Sequence, residues 1–542
     1  MDTATLVLII LAIIYVPIWV WVWRRPEDAA RFHLVKYGPL VMIKTHLGIK
    51  SMDKLGKYRR FWLVFGFVSK LISAGLFFIM MYMLIGAIIA LPSRIGHGGI
   101  GIQYALAIPG FNPMLPLTYG IVALFVAMIV HEMAHGIQSR ANGCKVDSTG
   151  LLYGVVPWGA FCEPNEEELA KLPRRPQMDI YSAGISVNTV VAVISIALML
   201  AVCGSITPSS FDSNADDDSD SDLPGIYYID SYSPAFDSDI PTSALITGIK
   251  EVGEDSFHHV EAYIGSNSIS LISPDLELSP LNEYVLQYVL KDGVKKESTP
   301  IQMGALIKSV TNNSPASSAG MLPLTYLYSM TNTSVTGSET EYIQNTNEFM
   351  DYMKTTHAGD VVLVTVATIA DGGDIETVDY EITLTASGSQ GYLGISVTES
   401  GFTFTTPTAM LERATTPFAH VENPIDFVKS LLSYLSGPVN GLDPIPDSIT
   451  WWYDTPNGDL TWIIVKMLYW LFWLDILLAI SNALPAYPFD GGFLFEGGIN
   501  WLLERLGIKD TERRGKLSGS ISNAISTVTL MMFILVIVGL LI

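Results

Sequence analysis

The amino-acid sequence predicts an α-helical polytopic membrane protein of about six transmembrane helices, with an α+β region inserted between its two membrane portions. Three observations carry this. Of 542 residues, 49% are hydrophobic and the mean hydropathy is +0.36, more than a soluble chain needs. The apolar residues gather in runs of about 20, enough to cross roughly 30 Å of hydrocarbon as helix. Between the fourth and fifth runs the composition turns acidic, with 36 Asp and Glu against 8 Lys and Arg over residues 205–459, while the whole chain carries −22. That balance excludes nucleic acid as a direct partner, because phosphate binding needs basic patches that no solvated segment supplies. Three cysteines, Cys144, Cys162 and Cys203, fit neither a disulfide framework nor a paired metal motif.

The first span is Ala4 to Trp23, which lacks a basic leader and a small-residue cleavage site and reads as a retained helix. Ten Lys and Arg residues between Arg24 and Arg60 place the following loop on the cytoplasmic side and the N-terminus outside. Phe61 to Leu91 is the second span, with Lys70 expected to snorkel to the cytoplasmic interface. The uncharged, Gly- and Pro-rich stretch Gly98 to Pro116 suits a partly embedded loop.

The third span, from about Leu117, contains Val122 to Arg140 and ends in His131-Glu132-Met133-Ala134-His135. Residues four apart share a helix face, so His131 and His135 can present two imidazole nitrogens to one metal ion, with Glu132 beside them as general base. Ionisable groups in an apolar span are expensive and read as functional. Gly143 to Glu168 suggests a hairpin whose strands could pair with an extended peptide. Ile180 to Val202 is the fourth span, and Asn188 within it must face a partner or a cavity.

Residues 205–222 read as an acidic linker. Beyond it a phrase recurs. Ile226 to Asp230 leads into Ser233-Pro234-Ala235 and a strand at Ala244 to Ile249; Ala305 to Val310 leads into Ser314-Pro315-Ala316 and a strand at Leu324 to Met330. Helical pieces are expected at Phe257 to Ile264 and Asn345 to Lys354, and an alternating strand at Val361 to Thr368 follows a Gly359-Asp360 turn. This order resembles PDZ domains and implies tandem PDZ-like modules at 223–300 and 301–400, with 401–459 as a connecting segment.

Ile463 to Ser481 is the fifth span, running inward, with Lys466 expected to snorkel outward and Asp475 needing a partner or a polar cavity. Asn482-Ala483-Leu484-Pro485-Ala486-Tyr487-Pro488-Phe489-Asp490-Gly491-Gly492 then breaks the helix and leaves a carboxylate on irregular backbone at membrane depth, tolerated only around a protein-lined cavity. Basic residues from Arg505 to Lys516 mark the cytoplasm, and Ile521 to Ile542 is the sixth span. The basic loops put His131, His135 and Asp490 toward one membrane face, so motifs over 350 residues apart can meet.

HEMAH in a membrane helix, Gly159 to Leu169, Ala183 to Asn188 and NALPAYPFDGG together resemble the site-2 protease family of intramembrane zinc metalloproteases. The resemblance covers both membrane portions, 1–204 and 460–542, from about Ile108 onward, with Phe489 and Ile185-Ser186 as departures from the usual residues. It implies one Zn²⁺ per chain held by His131, His135 and Asp490, Glu132 as catalytic base, and Asn188 and Asn482 as candidates for orienting substrate backbone. The implied partners are a transmembrane protein substrate and the lipid bilayer, with no nucleic acid. The expected location is a prokaryotic cell membrane, the PDZ-like region extracytoplasmic and the active site nearer the cytoplasmic face. Two other classes are weighed against this: a catalytically silent scaffold binding envelope proteins through its PDZ-like modules, which has no need of Glu132, and a metal transporter, which needs no general base beside its ligands.

Overall fold

The computed structural model describes residues 3–93, 103, 108–155, 157–209, 222–265, 268–369, 375–419, 421–440 and 442–541. Most of the 205–222 linker and much of the Gly98–Pro116 loop lie outside them. The chain forms two compact units, one of residues 1–204, 418–444 and 459–542, the other of 205–417 and 445–458.

The first unit is helical. Among the described residues, five helices are long and apolar enough to cross a membrane: α2 (Arg59–Ala90), α3 (Leu117–Ala141), α4 (Arg174–Cys203), α5 (Asp459–Asn482) and α7 (Thr511–Leu541). The expected first span is a helix too, α1 (Thr3–Arg24), but its apolar stretch Ile9–Arg24 is shorter than the other five. Between α5 and α7 lies α6 (Asp490–Arg505), a helix for which the sequence pattern makes no prediction. Its glycines and short apolar phrases disguise a 16-residue helix that packs on α4 and α7.

Neither intramembrane lysine snorkels as expected. The Lys70 ammonium on α2 is paired with Asp179 on α4, and Lys466 on α5 is buried with its Nζ 3.6 Å from Asp443. A partner removes the need to reach headgroups, and sequence alone does not reveal the partner.

The expected hairpin is present and belongs to a larger sheet. β1 (Leu34–Tyr37), β2 (Leu40–Thr45), β3 (Val146–Tyr153) and β4 (Pro157–Pro164) lie in that order, all antiparallel. Thr45 stands opposite Thr149, and Thr149 opposite Cys162. The loop after α1 therefore supplies half of the sheet, and β4 is its edge strand beside α3.

The second unit is β-rich and holds two cores in one 12-stranded sheet. One gathers Ile226, Ile249, Tyr284 and Leu286 with Phe402 and Phe404; the other gathers Ala305, Leu327, Met330, Phe349 and Val364. Strand Phe402–Thr405 pairs with Gly225–Ile229, Phe402 opposite Ile229. The first core is thus closed by a strand from the expected 401–459 connecting segment, and the second is inserted within it. Helix Thr346–Thr355 forms near its expected place, its N-cap Asn345 accepting from the Glu348 N–H. Phe257 to Ile264 is not helical: Glu261–Ile264 is a strand paired with Ile269–Ile272. Eight residues carry too little periodicity to separate helix from strand, and the pairing partner decided.

Candidate metal centre

Three side chains converge where α3, α4 and the start of α6 meet. His131 and His135 lie on one face of α3, and Asp490 is the first residue of α6. His131 Nε2 and His135 Nε2 are 3.2 Å apart, and each is 3.2 Å from Asp490 Oδ2. Both histidines are buried, and Asp490 Oδ2 is buried with no hydrogen-bond partner among the described residues. Two imidazole nitrogens and a carboxylate oxygen aimed at one point suit a cation. Ligands at the ~2.0–2.1 Å distances of tetrahedral zinc lie about 3.3 Å from one another, so this triangle fits that ion with a fourth position left open.

The surroundings hold these side chains in place. His135 Nδ1 is 2.8 Å from the Ile180 carbonyl on α4; donation there leaves the Nε2 lone pair facing the triangle, where it could bind a metal ion. Gly184, one turn further along α4, packs against the imidazoles: a Cβ would sit against His135 Nε2 and 2.7 Å from His131 Nε2. The Asp490 carboxylate occupies a helix N-terminus, where the backbone dipole favours negative charge. Behind it, a Cβ on Gly491 would come within 2.5 Å of the Leu484 carbonyl oxygen, so only glycine lets α6 start this close to the preceding loop.

Glu132 follows His131 on α3 and is not one of the three converging side chains. Its Oε2 accepts the Cys162 N–H of β4 at 2.8 Å, and it lines a cavity of about 310 Å³ with Thr45, Met52, Phe125 and Phe161. The remaining candidates differ. Asn188 is fully buried on α4, one turn beyond Gly184, and neither amide atom has a partner among the described residues. Asn482 donates to the Leu478 carbonyl of its own helix at 3.0 Å. Asp475 is fully buried on α5 with both oxygens unpartnered among the described residues.

With this geometry in place, the comparison with known proteins is decisive, because residues 119–536 match Peptidase family M50 over more than three quarters of the chain. The chain belongs to Peptidase family M50. It carries the metallopeptidase domain of that family together with its membrane helices. A curated relative is an uncharacterized protein of Methanocaldococcus jannaschii, 34% identical over 170 residues, which make up 31% of this chain and 45% of the relative. The match thus spans less than half of that relative's length.

Around the candidate centre lie further residues that carry no motif signal of their own. Gly184 lies within the Ala183–Asn188 phrase and Ile180 three residues before it, but only their packing on the histidines gives them a role. A small residue in a polar stretch of an apolar helix was the available signal.

Proposed function

We propose that this chain is a zinc endopeptidase that cleaves transmembrane segments of membrane-protein substrates, in regulated intramembrane proteolysis. The observation that carries the reading is the convergence of His131, His135 and Asp490 into a triangle of 3.2 Å sides, with Glu132 beside it on a cavity wall. His131, His135 and Asp490 would hold one zinc ion. Bound there, zinc supplies Lewis acidity, polarising a peptide carbonyl and acidifying water toward neutrality.

The protein's own groups perform the proton chemistry. Glu132 takes a proton from the attacking water and returns it to the leaving amide nitrogen, and the Cys162 N–H holds its carboxylate in place for both transfers. A helical substrate hides its carbonyls and must open locally. The outer edge of β4 has no ladder partner among the described residues and borders Glu132, so an extended segment can pair there. Asn188, neither of whose amide atoms has a partner among the described residues, is the stronger candidate to hold substrate backbone; Asn482 already spends a donor on Leu478.

The location proposed is a prokaryotic cell membrane, with the acidic β-rich region outside as PDZ-like modules that select substrates, and the metal site nearer the cytoplasm. The distribution of Lys and Arg supports this orientation. Cysteine labelling that found position 338 cytoplasmic would overturn it. The mechanism is tested with Glu132→Gln, which keeps size and a hydrogen-bonding carbonyl but accepts no proton at neutral pH. Zinc content should persist while cleavage of a single-pass reporter falls about 100-fold or more. Wild-type cleavage by a zinc-loaded variant would refute the role of Glu132.

A further inference from the structure

The Lys70–Asp179 ion pair is a costly feature to keep between membrane helices. Its side chains are 19% and 5% exposed, and burying two charges is often no better for stability than a well-packed apolar pair. Its place in the fold supplies a reason. Asp179 directly precedes Ile180, whose carbonyl meets His135 Nδ1, and lies five residues before Gly184, which packs on both imidazoles. The ion pair therefore anchors the turn of α4 that touches the metal ligands.

Other contacts converge on the same place. Ser186 Oγ donates to the Ser69 carbonyl at 3.1 Å, a second polar tie between α4 and α2, one residue from Lys70. Gln138 on α3, three residues after His135, donates from Nε2 to the Trp62 carbonyl at 3.1 Å. Gly66 sits among these groups: a Cβ would lie 2.6 Å from Gln138 Nε2 and 2.8 Å from the Asp179 side chain. Helix α2 contributes no metal ligand to the triangle, yet it is tied by directional contacts to the ligand-bearing helix α3 and to α4, which orients its histidines.

We propose that Lys70 and Asp179 are positioning residues for the metal centre, fixing the rotation and depth of α4 so that the Ile180 carbonyl stays on His135 and Gly184 stays against the imidazoles. An apolar contact at this place would hold the helices together but would let α4 rotate by several degrees, because dispersion has little directional preference. An ion pair has a preferred geometry, and loss of it loosens His135 without removing any ligand.

The inference rests on the zinc reading above, and its test separates the two. Full-length protein in detergent is loaded with zinc, and the zinc Kd is measured by competition with a chelator alongside the melting temperature of the zinc-free form. Wild type that binds no zinc would refute the metal reading itself. Asp179→Asn should raise the zinc Kd about tenfold or more, in the range of losing an outer-shell support, and lower kcat more than it raises KM. Asp179→Asn leaves a buried lysine unpaired and can fail to fold, so the deciding variant is Lys70→Met with Asp179→Leu, which keeps bulk and removes both charges. It should melt within a few degrees of wild type yet bind zinc at least about fivefold more weakly. The reversed pair, Lys70→Asp with Asp179→Lys, should recover part of that loss. A Met–Leu variant that is folded and binds zinc as wild type does would show that the pair is only helix-packing glue, and would overturn the proposal.

Discussion

The helical unit and the β-rich unit differ in what their polar residues do. In the first, ionisable groups that are buried or half-buried meet one another between helices: His131, His135 and Asp490 form one triangle, Lys70 joins Asp179, and Lys466 lies near Asp443. In the second, polar groups are abundant and mostly solvated, and stability comes from two apolar cores in a shared sheet. Where the surroundings are apolar, a charge without a role is selected against, so its presence is informative. A charge on a wet surface costs little and says correspondingly little.

This contrast can be broken most sharply at Asp490. Asp490→Ala removes one of three proposed ligands, so the zinc Kd should rise by about 100-fold or more while the β-rich unit is untouched. Undiminished zinc binding, measured by metal analysis after gel filtration, would take Asp490 out of the site. Gly184→Ala adds one methyl against two imidazoles. Overpacking of this kind costs about 1–3 kcal/mol, equivalent to a roughly 5- to 150-fold weaker zinc Kd. An unchanged Kd would mean that α4 yields freely there.

Removing residues 223–405 tests the division from the other side. The cut includes Phe402–Thr405 because that strand belongs to the first core, and a deletion ending at 400 would strand two aromatic residues. The shortened protein should bind zinc within about threefold of wild type while the spectrum of cleaved reporters broadens or shifts. Loss of zinc from a folded deletion would show that the β-rich unit completes the metal site.

The smallest expected effect concerns Glu399, the clearest exception to the solvated pattern of the second unit. Its carboxyl is buried, accepts the Leu271 N–H at 3.1 Å, and is pushed up to about 8 chiefly by loss of solvent. Here the folded state holds the proton more tightly than the unfolded chain. The contribution to stability is therefore full below the ordinary carboxyl range near 4.5, and it is lost as pH rises from there to about 8. The β-rich unit should melt several degrees lower at pH 8.5 than at pH 5, and Glu399→Gln should flatten that difference. Equal slopes in the two proteins would assign the pH dependence to other groups.

Much of the membrane portion was legible in the sequence, because a 20-residue apolar run has one economical conformation in a bilayer, and the i, i+4 spacing of His131 and His135 places them on one helix face wherever that helix lies. Individual strands such as Ala305–Val310 and Val361–Ile369 were equally readable from alternation. Long-range pairing was not. That Phe402 closes the first core, that the loop after α1 supplies β1 and β2, and that Lys70 finds Asp179 instead of the membrane surface all depend on partners 100 or more residues away. Local patterns record which face of an element is apolar and leave open which distant element will cover it. The sequence by itself determined the helices, the histidine pair and the carboxylate after a broken helix; tertiary packing alone decided that Gly184 and the Ile180 carbonyl shape the centre, because backbone groups and a missing side chain acquire chemistry only from what is brought against them.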